Sequence, residues 1–205
     1  MPDFSLEEEF PGIVVGIDEA GRGPWAGPVV AGAVILDRDK LPDSLRRGLN
    51  DSKKLSPAAR ERLFAELTPD IAKIGVGEAS VAEIDQLNIL KATFLAMKRA
   101  VEALEIVPGL ALVDGNRPPP LSCPVRCIIK GDGKSLSIAA ASIIAKVTRD
   151  RIMGDLAIRY PEFGWERNAG YGTAEHQAAL ANFGTTPEHR TSYAPIKRLL
   201  IKFEA

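Results

Sequence analysis

Cysteine and histidine are scarce: the 205 residues hold two of each, Cys123, Cys127, His176 and His189. Two cysteines are too few for a disulfide framework. Their C-x3-C spacing lacks a nearby second pair of cysteines or histidines, which argues against structural zinc and for ordinary reduced thiols. Excess charge is also missing. The formal net charge is −1, so a polyanion would find no bulk attraction and could be held only by a local basic patch. No apolar run approaches the ~20 residues of a membrane-spanning helix. The acidic opening Met1–Phe10 is the opposite of a secretory signal, and the expected compartment is the cytoplasm. Repeats, low-complexity tracts and long linkers are absent as well.

What is present suits a folded enzyme-sized unit. Apolar residues make up 45% and charged residues 26%, enough for one α/β domain with a sizeable core. Residues 1–205 are expected to form one domain, with residues from about 152 to 205 as a helical C-terminal extension. Apolar runs predict strands over Ile13–Asp18, Val29–Leu36, Ile71–Ala79, Leu110–Asp114 and Val125–Lys130. Ser56-Pro57 reads as a helix start. Ser80 with Glu83 reads as a capping box before a periodic run to Leu104, broken or bent at Asn88. A further helix is predicted from about Ser137 to Arg149. Its small centre, Ala139 to Ser142, suits either tight packing on the sheet or a substrate-facing role. Thr173 and Thr186-Pro187 look like N-caps of two short helices. The short link after the first strand suits an antiparallel pair, and the fourth strand, after a long helix, suits a parallel neighbour.

Hydrophobic runs that close on carboxylates are the chemical signal. Asp18 and Glu19 follow the first run, Asp114 closes the fourth, and Asp132 lies just beyond the fifth. In open α/β sheets the carboxyl ends of strands are where ligands bind. Each acid alone is an ordinary turn former, but four that converge repel one another and need a cation or proton. Hard oxygen donors of this kind suit Mg²⁺ or Mn²⁺. Two such ions about 4 Å apart can activate water and stabilise a leaving oxygen in phosphodiester hydrolysis.

Seven motifs then occur in one order: Asp18–Pro24, Asn50–Leu55, Glu83–Leu90, Val113–Asn116, Lys130–Asp132, Ala140–Asp150 and Gly170–Thr173. In that order, over nearly everything from Ile13 to Leu199, the chain resembles ribonuclease HII. The resemblance implies a ribonuclease H-like mixed five-stranded sheet flanked by helices, with a helical C-terminal extension. It implies cleavage of RNA joined to or embedded in DNA, on the 5′ side of the ribonucleotide, leaving a 3′-hydroxyl and a 5′-phosphate. By the same resemblance Asp18, Glu19, Asp114 and Asp132 are the metal-binding carboxylates, with Mg²⁺ or Mn²⁺ as cofactor. Gly21, Arg22 and Gly23 match the ribonucleotide-sensing loop, and Tyr171 the junction-sensing tyrosine.

Physical chemistry allows these roles beside plainer ones. Small glycines let backbone groups reach a 2′-hydroxyl, both donor and acceptor, although Gly-Arg-Gly also makes a plain tight turn. Tyr171 suits a flat surface for the next deoxyribose, or a core aromatic. Lys53 and Lys54 suit phosphate contacts or a solvated loop, and Lys130, Ser142, Lys146 and Arg149 suit a basic rim. Trp25 is expected to pack on the sheet. The expected partner is an RNA–DNA hybrid or ribonucleotide-containing duplex, bound by a monomer. Gln177–Phe183 only faintly resembles a clamp-binding peptide, so no sliding-clamp contact is expected. The rivals are a ribonuclease HIII, which usually carries an N-terminal substrate-binding domain, a junction resolvase, and a non-catalytic hybrid-binding module.

Overall fold

The computed structural model describes residues 1–204, with side chains to Ile201. Five strands, β1 (Val14–Ala20), β2 (Val29–Leu36), β3 (Ala72–Ala79), β4 (Leu110–Asp114) and β5 (Val125–Ile128), form one sheet in the order β3-β2-β1-β4-β5. β1 pairs antiparallel with β2 and parallel with β4, as the connection lengths predict. β2–β3 is antiparallel and β4–β5 parallel, so the sheet is mixed.

The helices are α1 (Ser5–Glu8), α2 (Asp43–Gly48), α3 (Pro57–Glu66), α4 (Val81–Leu87), α5 (Ile89–Glu102), α6 (Leu136–Arg159), α7 (Trp165–Asn168), α8 (Ala174–Phe183) and α9 (Ala194–Glu204). Ser80 and Glu83 form the predicted capping box. Asn88 makes the predicted break: at φ 69° it ends α4, and its side chain accepts from the amides of Leu90 and Lys91 to start α5. Asparagine tolerates positive φ better than most side chains.

Alternation along the strands sorts the core. Val15, Ile17, Ala31 and Ala33 pack against α5, where Ala92, Ala96 and Met97 are buried. The other face carries α6, and here glycine sets the distance. A Cβ at Gly16 would stand 2.1 Å from the carbonyl carbon of Ser137, and one at Gly32 would stand 2.5 Å from the oxygen of Ala141. The small stretch Ala139–Ser142 is therefore the packing seam with the sheet, and all four residues are buried. A third cluster gathers Ala26, Met153, Leu156, Trp165, Leu180 and Ile196 beneath the C-terminal helices.

Several boundaries differ from the predicted ones. β1 runs on to Ala20, so Asp18 and Glu19 lie inside a paired strand. β5 stops at Ile128, because Lys130 takes a left-handed conformation at φ 56° and turns the chain. α6 continues to Arg159, since Lys146 pairs with Asp150 along the helix and no break follows Arg149. No helix begins at Thr186. Its amide donates to His189 Nδ1 (2.9 Å) and its hydroxyl accepts from Glu188 N (3.2 Å), closing a tight turn instead. The short helices α1, α2 and α7 lack a clear periodic signal. Trp25 packs on the C-terminal region rather than the sheet: a Cβ at Gly172 would lie 2.2 Å from its ring. Cys123 and Cys127 are free thiols.

Candidate active site

The parallel pairing of β1 and β4 brings Asp18, Glu19 and Asp114 to one end of the sheet. Successive residues of a strand face opposite sides. Asp18, opposite Gly32, turns towards α6 and is only 7% exposed. Its Oδ1 accepts from the amide of Glu19 (2.7 Å). Burial first, and then the charges of Glu19, Asp114 and Asp132, hold the Asp18 carboxyl well above the usual range. Burial also raises Glu19, partly offset by Arg22, whose Nη1 donates to Glu19 Oε1 at 3.1 Å.

Asp114 reaches across to the turn that carries Asp132: its Oδ1 accepts from Gly131 N (2.7 Å). Asp132 is raised by burial and by the neighbouring carboxylates of Asp51 and Asp114. The Asp51 carboxylate therefore also acts on Asp132, and nothing local in the sequence marks it as part of this group. It also caps the turn Ser52–Lys54, accepting from Lys53 N at 2.9 Å.

Among the described residues no three acidic, histidine or cysteine side chains stand close enough together to hold an ion between them. The chemistry of the set still fits a hard divalent cation. All donors are carboxylate oxygens, and the three charges acting most strongly on buried Asp18 are themselves carboxylates.

Beside the acids opens a cleft of about 380 Å³, lined in part by Gly21, Arg22, Gly23, Lys53, Lys146 and Tyr171. Two buried arginines fix its glycine loop. Arg190 donates to the carbonyls of Gly21 (2.6 Å), Arg22 (3.1 Å) and Gly27 (3.0 Å), and the Tyr193 hydroxyl donates to Arg22 O (2.5 Å). Arg149 donates to the carbonyls of Pro28 (3.0 Å), Ala26 (3.1 Å) and Ala169 (3.0 Å). Arg149 is therefore buried scaffolding that also backs the cleft wall, and burial together with the charge of Arg190 lowers it to about 10. Ser142 is likewise buried, its hydroxyl accepting from Ser52 N at 3.3 Å. Lys130 is not among the cleft residues, whereas Lys146 reaches the cleft and donates to Asp150. Lys54 points outwards, 3.9 Å from Asp51, outside the cleft that Lys53 lines.

Tyr171 is half exposed, which removes the core-aromatic reading, and its ring lies against Gly23: a Cβ there would stand 3.3 Å from Cε1. Below it sits a buried polar network. His189 Nδ1 accepts from Thr186 N, which leaves Nε2–H to donate to His176 Nε2 at 3.0 Å. His176 Nε2 also accepts from Trp165 Nε1 (3.3 Å), and its Nδ1–H donates to the Tyr171 carbonyl at 2.9 Å. One tautomer of each ring fits these directions with both imidazoles neutral, the single lone pair of His176 Nε2 being shared between His189 and Trp165. Burial lowers His176, and burial with His176 beside it brings His189 down to about 4. Arg190, Tyr193 and this histidine pair carry no local sequence signal, because their partners lie far along the chain.

Comparisons with known proteins agree with this architecture. The family model described as ribonuclease HII matches residues 15–196. The ribonuclease HII of Paramagnetospirillum magneticum is 64% identical over 98% of this chain and 100% of its own length. The crystal structure of ribonuclease H2 from Pyrococcus horikoshii superposes with a TM-score of 0.77 at 32% identity, covering 93% of this chain and 98% of that one. The PCNA:RNase HII complex from Archaeoglobus fulgidus superposes at 0.73 with 29% identity, covering 88% and 95%. With that complex among the similar structures, the expectation of no sliding-clamp contact has no support. In this chain Gln177–Phe183 lies within α8, where Gln177 Nε2 donates to Gly172 O and Phe183 is exposed. No helix among the described residues is long and apolar enough to cross a membrane. The chain belongs to the ribonuclease HII family and is a ribonuclease H, an endonuclease hydrolase that acts on RNA–DNA hybrids.

Proposed function

We propose that the chain cuts on the 5′ side of a ribonucleotide, in an RNA–DNA hybrid or embedded in duplex DNA, leaving a 3′-hydroxyl and a 5′-phosphate. It acts as a single chain and a single catalytic unit. Asp18, Glu19, Asp114 and Asp132 are the residues that would hold two divalent ions, Mg²⁺ or Mn²⁺. When bound, such ions acidify a water and stabilise the leaving oxygen. The observation that supports this reading best is the buried Asp18 carboxyl, in the field of three further acids, beside a cleft walled by Gly21–Gly23 and Tyr171.

The protein's own groups supply selection and positioning. Arg190 and Tyr193 hold the peptide units of Gly21 and Arg22 still, so that their free hydrogen-bonding capacity can meet a 2′-hydroxyl without reorganising. Gly23 keeps the space in front of Tyr171 open for a sugar. The Tyr171 ring accepts a following deoxyribose and crowds a following ribose. Lys53 on the cleft wall and Lys54 beyond it offer ammonium groups to flanking phosphates. Arg22 tempers the charge of Glu19.

The test is to incubate a DNA duplex holding one ribonucleotide, with and without Mg²⁺ or Mn²⁺, and map the product ends. One ion-dependent cut 5′ to the ribonucleotide, leaving an extendable 3′-hydroxyl, is expected. A cut on the 3′ side, or cutting without any divalent ion, would overturn the reading.

A further inference from the structure

The N-terminal arm makes contacts that neither the glycine loop nor the cleft explains. Glu7 is 1% exposed, although it lies in an acidic stretch that reads as solvated surface. Its Oε1 accepts from the Ser135 hydroxyl (2.7 Å) and from the amide of Ser137 (3.0 Å), while Oε2 has no partner among the described residues. A buried carboxylate oxygen without a partner is costly, so this position is held by the rest of the arm. Phe4 is buried in the cluster with Leu36, Leu45 and Leu136, and Arg38 donates to the Glu7 carbonyl at 2.7 Å.

Several of the arm's contacts converge on the junction between the Asp132 turn and α6. Asp3 N donates to Lys134 O (3.1 Å) and Leu136 N donates to Asp3 O (3.1 Å), bracketing Ser135. Ser135 is the N-cap of α6: its hydroxyl accepts from Ile138 N (3.1 Å), and its amide donates back to Gly131 O at 2.8 Å. The carboxylate of Glu7 thus adds to the cap at the positive end of a 24-residue helix, where negative charge is stabilised. On the other side of the same turn, Gly131 N is held by Asp114. Asp132 sits between the two ties. One comes from a proposed metal ligand, and the other comes from Glu7 through Ser135.

We propose that Glu7 is a positioning residue for Asp132, fixing the turn so that this fourth carboxylate faces the other acids before metal binds. This rests on the reading of Asp132 as a metal ligand. Pre-organisation of this kind is worth roughly 10–100-fold in metal affinity when an outer contact is removed. Because Glu7 acts through the backbone, the lower end is expected.

The experiment is calorimetric titration of the whole chain with Mn²⁺, alongside thermal unfolding, for wild type, Glu7→Ala, Glu7→Gln, Ser135→Ala and Ile84→Val. Ile84 is buried beside α5, away from the arm, so its variant loses stability alone. Glu7→Ala should bind Mn²⁺ about ten-fold more weakly, and Ser135→Ala should weaken it in the same direction. Glu7→Gln, which keeps an acceptor at Oε1, should lie closer to wild type. Ile84→Val should bind like wild type despite its lower melting temperature. If Glu7→Ala does not fold, Ser135→Ala and Glu7→Gln carry the test. Affinities for all arm variants within two-fold of wild type, or an equal loss in Ile84→Val, would overturn the proposal and leave the metal reading standing. Absence of Mn²⁺ binding by wild type would overturn both.

Discussion

Gly21→Ala and Gly23→Ala sit two residues apart in the same loop, yet the structure assigns them opposite consequences. Gly21 has φ +97°, and a Cβ there would stand 2.0 Å from Arg149 Nε, 2.4 Å from its Cδ and 2.8 Å from Pro28 O. The left-handed backbone alone costs an alanine about 1–2 kcal/mol. Arg149 cannot yield freely, because its guanidinium is spread over three carbonyls. Losing one such charged hydrogen bond in the interior costs a further ~1.5–3 kcal/mol. The sum, about 2.5–5 kcal/mol, lowers the melting temperature of a chain of this size by roughly 5–20 °C. Gly23 has no positive φ, and its added methyl would meet only the Tyr171 ring at 3.3 Å. That ring is half exposed and can give way, so stability should change by less than ~1 kcal/mol. What Gly23→Ala loses is the space for a sugar, and cutting at a lone ribonucleotide should slow while the fold persists. Thermal unfolding with single-turnover cleavage separates the two variants. A Gly21→Ala protein within about 2 °C of wild type would refute the reasoning, as would a Gly23→Ala protein less stable than Gly21→Ala.

Tyr171→Ala should slow cutting at a single embedded ribonucleotide by about ten- to a hundred-fold, the rate equivalent of 1–3 kcal/mol of lost aromatic contact. Plain duplex affinity should hardly change, and equal slowing on an all-RNA strand would remove its junction role. Duplex binding should weaken with salt despite the near-neutral chain. Lys53→Ala should shallow the log–log slope by about 0.9 for one phosphate, and Lys54→Ala should do so less because it stands outside the cleft beside Asp51. Equal effects would mean both ammonium groups touch phosphate. The neutral histidine pair should make the fold acid-sensitive. His189 falls from 6.5 to about 4 on folding, so its contribution is complete above pH 6.5 and drains away as pH drops towards 4. That amounts to about 3 kcal/mol. Urea midpoints that stay level from pH 7 to pH 5 would show that the pair does not titrate this way.

Much of this was legible where the physics is local. Apolar runs found the five strands, a serine and a glutamate three apart found the capping box, and Asn88 announced the break between α4 and α5. Asp18, Glu19 and Asp114 stood out as acids gathered at strand ends, and Asp132 just beyond one, although each alone reads as a turn former. Long-range partnership was not visible. Arg149 looked like a surface charge, since nothing nearby in sequence reveals that the carbonyls of Ala26, Pro28 and Ala169 surround it. Thr186-Pro187 carried helix-start chemistry, but the Thr186 amide was claimed by a histidine ring. Glu7 resembled its exposed neighbours Glu8 and Glu9, and its burial at the start of α6 depends on partners far along the chain, Arg38, Ser135 and Ser137.

The acids beside the cleft stand or fall with Asp18→Asn. This change removes a strong oxygen donor and one of several repelling charges while keeping the shape of the side chain. Single-turnover cleavage of a duplex with one ribonucleotide should be nearly abolished, with the melting temperature unchanged or slightly raised. In wild type, millimolar Mn²⁺ should raise the melting temperature by binding the folded acids, and in Asp18→Asn that increase should shrink. A purified Asp18→Asn protein that cuts near the wild-type rate with Mg²⁺ would contradict the assignment of this carboxylate, and with it the chemistry proposed for the site.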